Sequence, residues 1–154
     1  GLWVFFNIER RRPTPIFDSI KEKWSFCNEE SINYNISKKI KAVENSDYEL
    51  KFKVNRYDTD MIKHVNNIRY LQWVVESVPD EIIDNYYLYS IDGRFISEAY
   101  YGQTIVSLTK NDINETNDKS FIHTIKVEET EKVCATAKTI WRKIKTRKHN
   151  KVLW

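Results

Sequence analysis

From Tyr48 to Val54 apolar and charged residues alternate one for one: Tyr48, Leu50, Phe52 and Val54 against Glu49, Lys51 and Lys53. Successive side chains of an extended chain point to opposite faces, so this run predicts a half-buried strand. The alternation then stops, and Arg56 to Asn67 is rich in turn formers. Beyond it Ile68, Leu71, Val75 and Val78 recur at three- and four-residue spacing, which predicts an amphipathic helix. Asn66 or Asn67 is suited to cap its start, and Pro79 to end it. Four more strands are predicted at Leu88–Glu98, Gln103–Thr109, Phe121–Val127 and Lys132–Ile144, with turns at Tyr101-Gly102, Asn111–Asp118 and Glu128–Glu131. Strand, long helix, four strands is an α+β order with one helix on an antiparallel sheet. Order alone does not choose among folds of that kind.

The N-terminal part reads differently. Leu2 to Ile8 is aromatic-rich and strand-like, and Glu9 to Pro15, with three arginines and two prolines, reads as an exposed connector. The stretch after it is polar and irregular, with a short helix expected around Ser19 to Ser25. The expected divisions are therefore 1–15, a strand and basic connector; 16–47, a linker; 48–145, the main domain; and 146–154, a basic tail. Leu2-Trp3-Val4 before Arg10-Arg11-Arg12 echoes Thr139-Ile140-Trp141 before Arg142-Lys143. The echo is short, and either coincidence or the last strand of a preceding repeat accounts for it.

Composition narrows the classes. The 154 residues suffice for one domain with a core, and 14% aromatic content suits a sheet with a broad apolar face. No run of about 18 apolar residues predicts a membrane span, and the first residues lack a signal-peptide layout. Cys27 and Cys134 form no disulfide framework and read as reduced thiols of a cytoplasmic protein. No cluster has zinc spacing and no glycine loop cradles a phosphate, so neither metal nor cofactor is expected. The net charge of +3 is small and no nucleic-acid motif occurs, which argues against nucleic-acid binding.

The chemistry concentrates in RYDTDMIKHVNNIRYLQWVVESVP, where an acidic pair, a histidine and two asparagines precede the helix. A helix start offers unpaired amide hydrogens and partial positive charge, which polarise a carbonyl and stabilise an oxyanion. A carboxylate nearby can activate water. Those are the parts needed to hydrolyse an acyl bond.

The run Asp58-x-Asp60-x-x-x-His64-Val65-Asn66-Asn67-x-x-Tyr70, with Trp73 and Glu76-Ser77-x-Pro79, resembles the signature of plant and bacterial acyl-acyl-carrier-protein (acyl-ACP) thioesterases. Arg94-Phe95-Ile96-Ser97-Glu98-Ala99-Tyr100-Tyr101-Gly102 resembles that family's later motif. Leu2-Trp3-Val4 with Arg11-Arg12-Pro13, and Thr139-Ile140-Trp141-Arg142, are similar to weaker family landmarks. The resemblance implies a hot-dog fold, one long helix wrapped by a curved antiparallel sheet, and the second of two repeats, with 1–15 ending the first. It implies hydrolysis of fatty acyl-ACP thioesters, with acyl carrier protein as partner, ending chain elongation. It assigns catalytic roles to Asp60, His64 and Glu98: Glu98 as base, Asp60 holding the constellation, His64 assisting. Amides near Val65, Asn66 and Asn67 would position the substrate carbonyl.

Two positions depart from the family pattern. Ile62 stands where the family usually has asparagine and brings no side-chain hydrogen bond. Ala99 stands where plant members carry a cysteine, which favours carboxylate-activated water over a covalent route.

Plainer readings compete. Asp60 also suits an Asx turn, Asn66 and Asn67 suit helix capping, and His123, inside an apolar alternation, suits a structural place. Tyr86, Tyr87, Tyr89, Tyr100 and Tyr101 read as packing. Arg10–Arg12 and the Lys143–Lys151 tail are either a solvated face or a dock for an acidic carrier. The rival functions are an acyl-CoA thioesterase working as a homo-oligomer and a non-catalytic acyl-binding half-domain. An unpaired sheet edge predicts dimerisation or pairing with another repeat.

Overall fold

The computed structural model describes residues 5–10, 12–25, 39–112 and 118–144. The chain forms two units, Gly1–Lys38 and Lys39–Trp154. Cys27, Leu2 to Val4, Arg11 and the tail from 145 lie outside the described residues, and with them the expectations placed there.

In the first unit β1 (Phe6–Asn7) pairs antiparallel with β2 (Arg12–Pro13). The basic connector expected after the first strand is thus the return arm of a small hairpin. Thr14 N–H donates to the Phe5 carbonyl at 2.9 Å, and Phe5 meets Phe17 edge to face. The expected short helix is α1 (Asp18–Lys21), which starts one residue earlier and is shorter.

The second unit is one five-stranded antiparallel sheet in the order β3-β5-β6-β7-β4, the architecture implied by the resemblance. Its strands are β3 (Tyr48–Lys53), β4 (Tyr86–Phe95), β5 (Thr104–Asn111), β6 (Lys119–Val127) and β7 (Val133–Lys143). Between β3 and β4 come a single 3-10 turn (Arg56–Asp58), α2 (Asn67–Glu76) and α3 (Asp80–Asn85). The Asn66 side chain caps α2 by accepting the Ile68 N–H at 3.0 Å. Pro79 ends the helical pattern as expected but then opens α3, because proline at a helix start loses no intrahelical bond. β4 consequently begins at Tyr86, earlier than the apolar run suggested, and stops at Phe95.

The sheet face of α2 carries Tyr70, Trp73 and Val74. They pack with Val54, Ile105, Ile125, Val127, Ala135 and Ala137 into the main core. The aliphatic row Ile68, Leu71, Val75 that revealed the helix is not the deepest part: Ile68 is exposed, and Leu71 and Val75 are half-buried. Two aromatics took the central places because Trp73 stacks on Phe52 at 5.8 Å and meets Tyr70 edge to face at 5.6 Å. Leu71 reaches β4 at Gly93, where an added Cβ would come within 3.0 Å of Leu71 Cδ2.

Strands β5 to β7 are buried on both faces. On the face away from α2, Val43 packs with Val106, Leu108 and Ile122, and its N–H donates to Thr124 Oγ1 at 2.7 Å. The last residues of the expected linker are therefore part of the domain. At the sheet edge β3 is covered only at its end: Phe52 and Val54 are inside, while Tyr48 and Leu50 are each 41% exposed.

His123 is fully buried on β6, with Nδ1 2.9 Å from Thr109 Oγ1 and Nε2 2.9 Å from Thr139 Oγ1. These bonds run across three strands, and the expected structural place is the one observed. Burial lowers its pKa from 6.5 to about 3, since the charged ring is costly there. The unfolded chain therefore takes up a proton near the ordinary pKa while the folded chain does not. Stability is complete above that value and falls as pH drops through the window, by at most about 1.4 kcal/mol per pH unit. Urea unfolding between about pH 7.5 and 5 should show this slope, above most carboxylate titration. His123→Leu should flatten it, and a wild-type slope kept in that variant would refute the assignment.

Candidate functional site

The site is built where the loop before α2 meets the loop after β4. The first loop folds on its two aspartates. Asp58 Oδ2 accepts the Asn55 N–H at 2.7 Å, closing the 3-10 turn, and Asp58 Oδ1 lies 3.3 Å from Arg69 Nε on α2. Asp60 Oδ1 accepts the N–H groups of Ile62 at 3.0 Å and His64 at 3.2 Å. The Asp60 N–H donates to the His64 carbonyl at 2.8 Å, and Lys63 takes a left-handed φ of 66° to let the loop close. Asp60 thus makes an Asx-type turn that fixes the backbone of His64.

The second loop runs from Ile96 to Gln103, between β4 and β5. Ile96 and Ser97 donate their N–H groups to the Cys134 carbonyl, and Ser97 Oγ donates to the Val133 carbonyl at 2.6 Å. The Ala99 carbonyl accepts the Val65 N–H at 3.0 Å, and an isolated bridge joins His64 to Tyr100. Gly102, at a φ of 84°, turns the chain back toward Val54.

These contacts bring His64 Nδ1 to 3.3 Å from Glu98 Oε1. The Tyr100 hydroxyl donates to Glu98 Oε2 at 3.2 Å, and the Tyr100 ring meets the imidazole edge to face at 5.4 Å. Glu98 is therefore held from two sides while 43% of its side chain stays open to solvent. Tyr100 was expected to pack; its contact with Glu98 was missed because strand-end tyrosines are common, and only the register with Glu98 two residues earlier could have signalled it.

Asp60, His64, Val65, Asn66, Asn67 and Glu98 all line one open cleft of about 240 Å³. A neighbouring cleft of about 250 Å³ shares Val65, Asn67 and Glu98 and adds Tyr70 and Phe95 to Ser97. The expected positioning amides are not equivalent. The Val65 N–H is taken by the Ala99 carbonyl and the Asn66 N–H by the Asp58 carbonyl at 2.8 Å. Val65 is a core residue and the Asn66 side chain is the helix cap, so of the three only Asn67 lies within the first turn of α2. Ile62 is 69% exposed. Among the described residues no group of three or more His, Cys, Asp or Glu side chains could hold a metal. No helix among them is long and apolar enough to cross a membrane.

Residues 40–143 match the family model described as the acyl-ACP thioesterase C-terminal domain. The chain is 30% identical to oleoyl-acyl carrier protein thioesterase 1, chloroplastic, of Arabidopsis thaliana, over 92% of this chain and 45% of that protein. The 12:0-ACP thioesterase structure from Umbellularia californica superposes with a TM-score of 0.75 at 24% identity, covering 90% of this chain and 52% of that one. A shorter neighbour is the 1,4-dihydroxy-2-naphthoyl-CoA thioesterase from Synechocystis, with a TM-score of 0.58, 18% identity, and coverage of 65% of this chain and 83% of that one. The chain thus spans about half the length of the carrier-protein thioesterases it matches.

The Asp60 turn has a direct test by amide hydrogen exchange. In Asp60→Ala the amides of Ile62 and His64 should exchange about 10-fold faster, because local opening becomes easier. Asp60→Asn keeps an acceptor oxygen and should retain slow exchange. Equal exchange in all three proteins would refute the role given to Oδ1.

Proposed function

The chain belongs to the acyl-ACP thioesterase family, as its C-terminal domain, and on that premise we propose that it carries the hydrolytic centre for fatty acyl-ACP thioesters. The observation that supports the reading most is the Glu98–His64 pair beside the first turn of α2. Glu98 takes a proton from water as the water oxygen attacks the thioester carbonyl. The Asn67 amide and the positive end of α2 stabilise the oxyanion. Collapse expels the thiolate of the carrier arm, which takes the proton back, leaving free fatty acid and carrier thiol. His64, with Nδ1 3.3 Å from Glu98 Oε1, assists the proton's return. Asp60, through its turn, and Val65 and Asn66, through the core and the cap, hold these groups in place.

The carrier is acidic in this reading and is steered by positive charge, with Arg10–Arg12 or the Lys143–Lys151 segment as the dock. A second hot-dog module, from another repeat or another copy, completes the acyl pocket. Its contact surface is motivated by the open β3 edge at Tyr48 and Leu50 and by Met61, 99% exposed on the site loop. The buried free thiol of Cys134 agrees with a reducing cytoplasm.

A second reading has its own support. The Synechocystis neighbour is nearly covered by this one domain, which favours an acyl-CoA thioesterase assembled as a homo-oligomer. A non-catalytic acyl-binding half-domain is motivated by Ile62. Turnover on acyl-ACP against acyl-CoA separates the first two, and binding without hydrolysis marks the third.

Purified protein should release free fatty acid from acyl-ACP, and Glu98→Gln should lower kcat by about 10²- to 10⁴-fold, the usual worth of a general base. Unchanged turnover in that variant would sink the assignment of Glu98. Tyr100→Phe leaves the ring against His64 and removes one bond to the carboxylate, so its loss should be smaller, about 10-fold or less. If a folded chain releases nothing, Ile62→Asn tells a disabled site from a missing module: gain of activity identifies the former.

A further inference from the structure

Glu98 sits on a segment with no sheet ladder of its own, so its position depends on individual bonds from neighbouring elements. Those to Ile96 and Ser97 come from β7. The bond that ties the segment to the body of α2 is made by Tyr70. Its hydroxyl accepts the Ala99 N–H at 2.9 Å, while the Ala99 carbonyl accepts the Val65 N–H. Ala99, the residue that follows Glu98, is thus gripped through its N–H by a helix side chain and through its carbonyl by the residue before the helix cap. Ala99 is fully buried and Tyr70 is 2% exposed, so water cannot replace the bond.

We propose that Tyr70 is a positioning residue whose hydroxyl, by gripping the Ala99 peptide, sets the Glu98 carboxylate at working distance from His64 and the first turn of α2. The inference rests on the reading of Glu98 as the base, and it adds a residue whose hydroxyl bonds backbone. The surroundings of Tyr70 suit the task. Its ring is fixed by Trp73 at 5.6 Å and by Phe95 at 6.0 Å, the last residue of β4 before the Glu98 segment. Burial pushes its pKa up to about 12, so the hydroxyl keeps its proton. A buried ring fixed by two aromatic neighbours, whose oxygen accepts a backbone N–H, is a stiff link between helix and loop.

Tyr70→Phe removes the hydroxyl and keeps the ring. In the full protein it should lower kcat for acyl-ACP hydrolysis about 10- to 100-fold, the scale of a small misplacement at a reacting centre. KM should stay within about twofold, since the bond does not contact substrate. The imidazole ¹⁵N resonances of His64 should shift toward those of Glu98→Gln, which a merely structural role would leave in place. Replacing Ala99 with lactic acid deletes the donor from the other end of the same bond and should reproduce both effects, which covers a poorly folding Tyr70→Phe. Wild-type kcat and unshifted resonances in either variant would overturn the proposal, as would a loss confined to one of them. Should the wild-type protein not hydrolyse the thioester, the function falls separately, and the resonances decide the positioning role: shifted supports it, unshifted overturns it.

Discussion

The seating of α2 on the sheet is the constraint from which the site follows. Trp73 and Val74 are buried against β5, β6 and β7, and Trp73 is stacked on Phe52 of the edge strand. Emptying a tryptophan site of this kind costs about 3–5 kcal/mol, a large share of the stability of a domain this size. That energy is spent on fixing one rigid rod, and the rod's first turn is the wall of the cleft. The Asn66 cap, the Arg69–Asp58 contact and the Tyr70–Ala99 bond all leave the same turn and a half of helix. One well-packed helix therefore positions both loops, and neither loop has to be stiff by itself.

This division of labour explains why the polar groups fall into two kinds. Asp58, Asp60 and Asn66 look like chemistry in the sequence, yet their side-chain oxygens accept backbone N–H groups. They are spent on shape. Glu98 and His64 face each other across the cleft, supported by Tyr100. The Glu98 side chain is 43% open to solvent in the cleft that Asp60 also lines.

The fold was legible where burial is one-sided. Alternation located β3, and helical spacing located α2, with Asn66 one of the two caps offered and the one observed. The later strands were found in order, and β5 to β7 lie close to the expected spans. Misreadings fell where pattern and geometry part. Pro79 reads as a stop in sequence but is also a good helix start, so α3 was missed. The polar stretch around Val43 has no period, yet one valine and one N–H suffice to attach it to the sheet. At the site, the family resemblance named residues that share one cleft, but it could not tell which amides were already taken. That depends on partners such as the Asp58 and Ala99 carbonyls, far away in sequence or hidden in a loop.

The same geometry bears on the position that departs from the family. Ile62 lies in the Asp60 turn, and its contribution to that turn is its backbone N–H, which any residue but proline supplies. The loop thus keeps its shape whatever side chain stands there, and His64 keeps its backbone anchor. What isoleucine removes is a polar side chain beside the cleft; what it adds is apolar surface next to Met61. In a domain whose β3 edge also leaves Tyr48 and Leu50 open, that surface is better matched to a packed neighbour than to water. Isoleucine at this position thus leaves the backbone of the turn intact while presenting apolar surface to solvent beside Met61.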